Sequence, residues 1–301
     1  MKEGGPVLVT GAGTGIGRAV AETLANNGYA VYAAVRKEAH LKELARIDGV
    51  DSVKLDVTDP EEIAEVANHI KRKGTGLYGL VNCAGIADIW PLIGSTEEDL
   101  IRLFDVNVFG MHRLTRAVLP FLVEARGRIV NIGSLGGIAS TKPMGAYCMT
   151  KFAVEAYSEV LASELERYGV RVAVIEPGDF RTNLVDPTVK YVEERERERT
   201  SELVREEETE AKKWLEETKG NFGKRQGPQP VAEAVLHALA ASRPRFRYAV
   251  APTANQLGWA LDGLAMRLVQ ANFGGGEHAL SREEMHDLLD KVWEKAWVKL
   301  A

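Results

Sequence analysis

The stretch Val7-Leu8-Val9-Thr10-Gly11-Ala12-Gly13-Thr14-Gly15-Ile16-Gly17 decides how the rest of the chain is read. A short β-prone run, Val7–Thr10, passes into a glycine-rich turn, and a helical pattern over Ile16–Asn27 follows at once. Such a turn gathers backbone N–H groups at the positive end of a helix, the arrangement that receives a dinucleotide pyrophosphate. Side chains at these positions would hold the phosphates away, so glycine is needed at several of them. The literal G-x-G-x-x-G fingerprint is not met, because Ile16 stands where its third glycine would fall. The spacing is T-G-x-x-x-G-x-G, through Gly11, Gly15 and Gly17. Placed between a first strand and a first helix, it predicts that Gly11, Gly13, Thr14, Gly15, Ile16 and Gly17 contact a dinucleotide.

Downstream the same alternation repeats. Ala30–Val35, Val53–Leu55, Tyr78–Asn82, Arg128–Ile132 and Arg171–Ile175 read as further strands, several nearly all apolar, as expected of strands buried on both faces. Ile16–Asn27, Pro60–Arg72, Thr96–Val123 and Ala146–Tyr168 read as helices, with Thr58 or Asp59 before Pro60 as a helix start. Phe246–Val250 adds a seventh strand after a helix over Gln229–Ala241. The fold class predicted is α/β: a doubly wound, Rossmann-type parallel seven-stranded sheet with helices on both faces.

No internal repeat or long linker divides the 301 residues, so 1–301 reads as a single domain with two additions. One is an insertion at 185–228 and the other a C-terminal helical extension at 251–301. Within the first, 188–220 is dominated by Glu, Arg and Lys; it reads either as a solvated helical face or as a lid over a substrate pocket. The tail reads as two helices broken at Phe273–Gly276. The apolar positions Leu257, Trp259, Ala260, Leu264 and Leu268 fit either a pocket cap or packing on the core or a second subunit.

Composition narrows the function classes. Apolar residues are 45% and charged residues 27%, an ordinary globular balance. A net charge of −5 gives no reason to expect nucleic acid or an anionic membrane as partner. Because Val7–Thr10 starts so near Met1 and no run approaches the roughly 20 apolar residues of a membrane span, a cytoplasmic location with no signal peptide and no integral membrane segment is expected. Cys83 and Cys148 are the only cysteines, the six histidines are scattered, and no metal site is expected.

Two further features carry chemistry. Arg36, 19 residues past Gly17 at the end of the second strand, is followed by Lys37. An acidic residue at that point suits the ribose 2′-hydroxyl of NAD, whereas arginine suits a 2′-phosphate, so NADP is the expected cofactor with NAD as the alternative. Tyr147 and Lys151 stand four apart on one predicted helix, so phenol and ammonium can converge on one site. Exchanging a hydroxyl proton during hydride transfer needs such a group, and a nearby cation favours the phenolate.

With these features the chain resembles the short-chain dehydrogenase/reductase family, densely over about 5–185 and more loosely to about 250. Asn82-Cys83-Ala84-Gly85 is close to the family's Asn-Asn-Ala-Gly, and Asp56-Val57 stands where the family contacts adenine. Asn107 matches its helix asparagine, Ser134 lies 13 residues before Tyr147, and Pro177-Gly178 with Thr182 matches the loop around the nicotinamide. The resemblance implies that Tyr147 is the general acid/base, that Lys151 lowers its pKa and holds the nicotinamide ribose, that Ser134 binds the substrate oxygen, and that Asn107 positions a water in a proton relay. Cys83, replacing an asparagine, reads as packing. Within the family the chain looks like the subgroup of retinol, hydroxysteroid and 3-hydroxybutyrate dehydrogenases, which implies a small-molecule secondary alcohol or ketone as substrate and a homodimer or homotetramer. Sugar-nucleotide epimerases share Tyr-x-x-x-Lys but use another glycine spacing. A non-catalytic dinucleotide-binding regulator remains the alternative from outside enzymes, and it has no need of the full Asn107–Ser134–Tyr147–Lys151 set.

Overall fold

The computed structural model describes residues 5–182, 184, 204–273 and 279–300. Seven parallel strands form one sheet: β1 Val7–Thr10, β2 Val31–Val35, β3 Val50–Lys54, β4 Gly79–Asn82, β5 Arg128–Ile132, β6 Arg171–Pro177 and β7 Arg247–Val250. Their order is β3-β2-β1-β4-β5-β6-β7. The winding reverses between β1 and β4, and in open sheets of this kind ligands bind outside the strand ends at that point.

Successive side chains of a strand point to opposite faces, and here both faces are covered. Val7 and Val9 meet Val20 and Leu24 of α1 (Gly15–Asn26) and Val231, Val235 and Leu239 of α8 (Gln229–Ala240). Leu8, Leu80 and Ile129 face the other way, toward Ile70 of α3 (Pro60–Lys73) and Leu114, Val118 and Leu122 of α5 (Met111–Glu124). That two-sided burial is why the strands are continuous apolar runs. Asp59 caps α3 by accepting from the N–H groups of Glu61 and Glu62, with Pro60 in the first turn.

Three expectations need correction. The helix expected over Thr96–Val123 is α4 (Glu97–Phe104) and α5 joined by wider π-type turns over Asp105–Gly110. The third strand lies at Val50–Lys54, not Val53–Leu55, and a short helix, α2 (Glu38–Leu44), follows Lys37 where none was expected. Helix α9 (Ala254–Phe273) packs through Ala260 and Gly263 on Leu135, Ile138 and Ala139, through Gln256 on Asp179 and through Arg267 on the Phe152 ring, while Leu264 and Leu268 are exposed.

Of the charged insertion, 188–203 lies outside the described residues. Arg205–Asn221 forms α7, which buries Ala211, Leu215 and Thr218 and turns most of its charged side chains outward. Leu215 and Trp214 pack against Ile89, Trp90 and Met144. Helix α6 (Gly145–Leu165) carries Tyr147 and Lys151, and α10 (Arg282–Leu300) is the last of the described elements.

Candidate active site

A cleft of about 640 Å³ runs across the C-terminal ends of the strands, from Arg36 at one end to Trp214 and Trp259 at the other. Its floor is the glycine turn. Gly11 and Gly15 have positive φ (65° and 55°), which disfavours any side chain. A Cβ on Gly17 would lie 2.3 Å from the Gly11 carbonyl oxygen, and one on Gly11 would lie 3.0 Å from the Ala84 backbone. The turn is therefore folded onto itself and onto the loop after β4, leaving the N-terminus of α1 open to the cleft. Thr14 caps that helix with extended backbone and uses no side-chain hydrogen bond to do so. The backbone N–H groups at this end are oriented for an anion, so the chain fits a dinucleotide pyrophosphate.

Every residue expected at the cofactor lines this cleft except Asn82, including Ile16, Asp56, Val57, Ala84, Gly85, Pro177, Gly178 and Thr182. Asn82 is buried beneath it, donating through Nδ2 to Asn131 Oδ1 (2.9 Å) and Thr115 Oγ1 (3.2 Å). It therefore ties β4 to β5 and α5 without lining the cleft. The loop after β4 is held by Thr10 of β1, its hydroxyl accepting from the N–H groups of Cys83 and Ala84 at 2.9 Å each. Burial pushes the Cys83 thiol up to about 12, so it is an inert neutral filler, in keeping with the packing reading. At the far edge of the turn Thr182 stands against Gly15.

At the adenosine end, Arg36 is largely exposed and lies 3.7 Å from Asp56. Asp56 is itself bound by the Thr58 N–H and hydroxyl, and these bonds with Arg36 outweigh partial burial, holding its carboxyl below the usual range. Lys37 caps α2, and His40, unremarked in the sequence, fills the space against Gly13.

At the reacting end, Tyr147, Lys151 and Ser134 converge. Tyr147 and Lys151 are both buried, with the Lys151 Nζ 5.6 Å from the tyrosine ring centroid. Nζ donates to the Ile132 carbonyl at 2.8 Å, so the ammonium is anchored to the end of β5. Ser134 follows that strand; its Oγ accepts from Gly136 N–H at 3.0 Å, and it stands close enough to the Tyr147 phenol to pull its pKa down. The charge balance differs from the sequence expectation of a depressed phenol. Burial dominates and pushes Tyr147 up to about 12, only partly offset by Ser134, and burial pulls Lys151 down to about 8. In the chain alone Tyr147 is thus a neutral acid at physiological pH.

Asn107 sits in the π-type turn, which aims it at the loop after β4. Its Nδ2 donates to the Ile86 carbonyl (2.8 Å) and the Thr150 hydroxyl (3.0 Å), while Oδ1 accepts from Ile86 N–H (2.8 Å). A Cβ on Gly85 would lie 3.3 Å from that Oδ1 and 4.0 Å from Lys151 Nζ, so the two side chains face each other across this glycine. Among the described residues no group of three His, Cys, Asp or Glu could hold a metal ion, and no helix is long and apolar enough to cross a membrane.

A parallel sheet with a glycine cradle at its switch point and a Ser–Tyr–Lys cluster beside it defines a dinucleotide-dependent oxidoreductase type of site. The short chain dehydrogenase model matches residues 6–192, and the chain belongs to that family. It is 34% identical to human dehydrogenase/reductase SDR family member 9 over 253 residues, 81% of this chain and 79% of that protein. It is 34% identical to the mitochondrial D-beta-hydroxybutyrate dehydrogenase of Rattus norvegicus over 264 residues, 81% of this chain and 76% of that protein. Retinol dehydrogenase 5 of Mus musculus is 40% identical over 182 residues, but that match spans only 58% of this chain and 57% of the retinol dehydrogenase. Among solved structures, a short-chain dehydrogenase from Streptomyces avermitilis superimposes with a TM-score of 0.72 at 31% identity, covering 91% of this chain and 95% of that one.

Proposed function

We propose that the protein transfers hydride between NADP(H) and a neutral, apolar secondary alcohol or its ketone, with Ser134, Tyr147, Lys151 and Asn107 managing the proton. The observation that carries this reading is the meeting of the Ser134 and Tyr147 hydroxyls with the Lys151 ammonium in one cleft, beside the glycine cradle. The nicotinamide, when bound, supplies or accepts the hydride. Ser134 polarises the substrate oxygen, and Tyr147 gives or takes its proton. Lys151, held by Ile132, is the cation that favours the phenolate once the site is filled. Asn107 holds Ile86 and the start of α6 in place, and it faces Lys151 across Gly85, where a relay water would stand.

The substrate class follows from the far wall, formed by Ala87, Ile89, Met144, Leu184, Trp214 and Trp259. Arg225 is the cation on that wall among the described lining residues, and Asp179 holds it at 2.7 Å. A hydroxy acid needs a cation to receive its carboxylate, so neutral apolar substrates are favoured. The names of the retinol dehydrogenase relatives speak for a neutral apolar alcohol and that of the D-beta-hydroxybutyrate dehydrogenase relative for a hydroxy acid, so the wall is what favours the neutral class. Matched pairs of substrates test this: a neutral ketone is expected to exceed the keto acid of equal size at least about tenfold in kcat/KM, roughly the cost of one poorly paired buried charge. Preference for the acid contradicts the assignment.

For the cofactor, Arg36 and Lys37 favour the 2′-phosphate. The second reading, the same chemistry with NAD(H), draws on Asp56, whose carboxylate lies beside Arg36 and offsets its charge. Arg36→Asp is expected to weaken NADP binding by about tenfold or more, the loss of one charge-assisted contact, and to spare NAD. An unchanged ratio of the two dissociation constants overturns the Arg36 argument.

A further inference from the structure

Behind the proton-transfer cluster lies a group of charged side chains that the reaction as described does not use. Glu155 is one helical turn beyond Lys151 on α6, and Glu176 is the residue of β6 just before Pro177. Both are buried. Arg247 of β7 donates from one nitrogen, Nη1, to Glu155 Oε2 at 2.8 Å and to Glu176 Oε1, and from Nη2 to the exposed Glu159 at 3.0 Å. The other two carboxyl oxygens, Glu155 Oε1 and Glu176 Oε2, are buried with no donor. With both carboxyl groups gathered on one guanidinium nitrogen and one buried oxygen of each left without a donor, a proton held between them is what would satisfy the pair.

The placement connects this pair to the site. Glu155 Oε1 lies where a Cβ on Gly133 would come within 2.6 Å, and Gly133 joins Ile132, whose carbonyl holds Lys151, to Ser134. Gly133 N–H donates to the Ile175 carbonyl at 2.7 Å, and Ile175 precedes Glu176. A Cβ on Gly137 would meet both the Lys151 carbonyl carbon (3.1 Å) and the Glu155 Cγ (3.2 Å).

We propose that Glu155 and Glu176, sharing one proton and clamped by Arg247, form a positioning element that keeps a single negative charge behind Lys151 and fixes the ends of β5 and β6 around Ser134 and Pro177-Gly178. This rests on the reading of Lys151 given above. The groups facing the pair are Arg247 from β7, Glu159 and Lys151 from α6, and, beyond Lys151, Cys83 and Tyr147. The Glu155 charge acts on Lys151 against the burial that lowers its pKa, so it keeps the ammonium protonated to higher pH. Burial raises both acids; the Glu155 charge lifts Glu176 further, to about 8, whereas Arg247 and the contact with Glu176 pull against the rise at Glu155. An acid raised in the fold holds a proton that the unfolded chain releases, so this contribution to stability is lost as pH rises through the interval from about 4.5 to about 8.

The test compares Glu176→Gln, Glu155→Gln and the double variant, reading the pH profile of kcat/KM and the thermal midpoint. Glu176→Gln replaces the protonated partner with an amide that still donates to Glu155. It is expected to leave the alkaline limb within about 0.2 pH unit of wild type and to keep or raise the midpoint at pH 8. Glu155→Gln moves the remaining charge away from Lys151, and the double variant removes it. Both are expected to bring the alkaline limb to lower pH, by about half a unit or more in the double. If the double variant does not fold, the Glu155→Gln limb alone decides. A folded Glu155→Gln with the wild-type limb overturns the proposal, and a lowered midpoint with an unmoved profile assigns the pair to stability alone, which also overturns it. Lys151→Met, measured in parallel, separates this from failure of the Lys151 reading, since that reading fails if this variant keeps wild-type turnover and profile.

Discussion

Tyr147→Phe is expected to lower turnover by about 10²–10⁴-fold while leaving cofactor affinity within about threefold of wild type. The substitution removes one oxygen from a buried ring and leaves the rest of that ring in place. What it takes away is the phenol that stands beside Ser134, the group set to exchange a proton with the substrate oxygen. The dinucleotide cradle is built from Gly11, Gly15, Gly17 and the loop after β4, and none of it depends on that hydroxyl. Turnover and binding should therefore separate cleanly. Steady-state rates combined with a fluorescence titration of the reduced dinucleotide check this; a variant that retains turnover sinks the assigned proton donor.

Gly17→Ala is expected to have the second large effect, on the cradle instead of the chemistry. The added methyl would meet the Gly11 carbonyl oxygen at 2.3 Å and its carbon at 2.6 Å. Both are backbone atoms of a turn held at positive φ, so neither can swing aside as a side chain would. Overpacking of this kind costs about 1–3 kcal/mol, and here relief requires moving Gly11 off Ala84 or α1 off the turn. Either movement misaligns the N–H groups that face the pyrophosphate, and a weakening of dinucleotide binding by about 100-fold is expected, roughly 2.7 kcal/mol. Gly220→Ala is the matched control: nothing lies within 4 Å of its new Cβ on α7, and there alanine should be neutral or slightly stabilising. Calorimetric titration of the dinucleotide into both variants checks the contrast. Equal affinities in the two would mean that the cradle is not where the dinucleotide binds.

How far these features could be read from the sequence depended on how local their cause is. The glycine turn was legible because Gly11, Gly15 and Gly17 are dictated within seven residues by backbone contact and positive φ. The convergence of Tyr147 and Lys151 needs only the helical repeat, which the strong pattern of α6 announced. The π-type turn that aims Asn107 was not legible, since one widened turn leaves the apolar period of α4 and α5 almost unbroken. Helix α2 was missed because seven residues burying only Leu44 show no period to detect. Asn82 was legible as part of the Asn82-Cys83-Ala84-Gly85 motif but not as a buried tie to Asn131 and Thr115, and only the packing of β1 against β4 reveals that the Thr10 hydroxyl braces the loop at Cys83–Ala84. The Glu155–Glu176–Arg247 cluster joins positions 92 and 71 residues apart and leaves no trace in any local window. In the C-terminal extension the apolar set Leu257, Trp259, Ala260, Leu264 and Leu268 divides: Trp259 lines the cleft, Ala260 packs on the core beside Gly263, and Leu264 and Leu268 are exposed. Small residues let α9 approach Ala139 closely, and an apolar count gives them little weight.

The central claim is that this cleft couples NADP(H) to a neutral alcohol or ketone through Tyr147. It is tested most directly by mixing the protein with NADPH and a series of apolar ketones and following the near-ultraviolet absorbance of the reduced nicotinamide. A ketone-dependent loss of that absorbance in the wild-type protein, absent in Tyr147→Phe, is the predicted result. The same loss in both proteins, or absorbance consumed with NADH and never with NADPH, contradicts it.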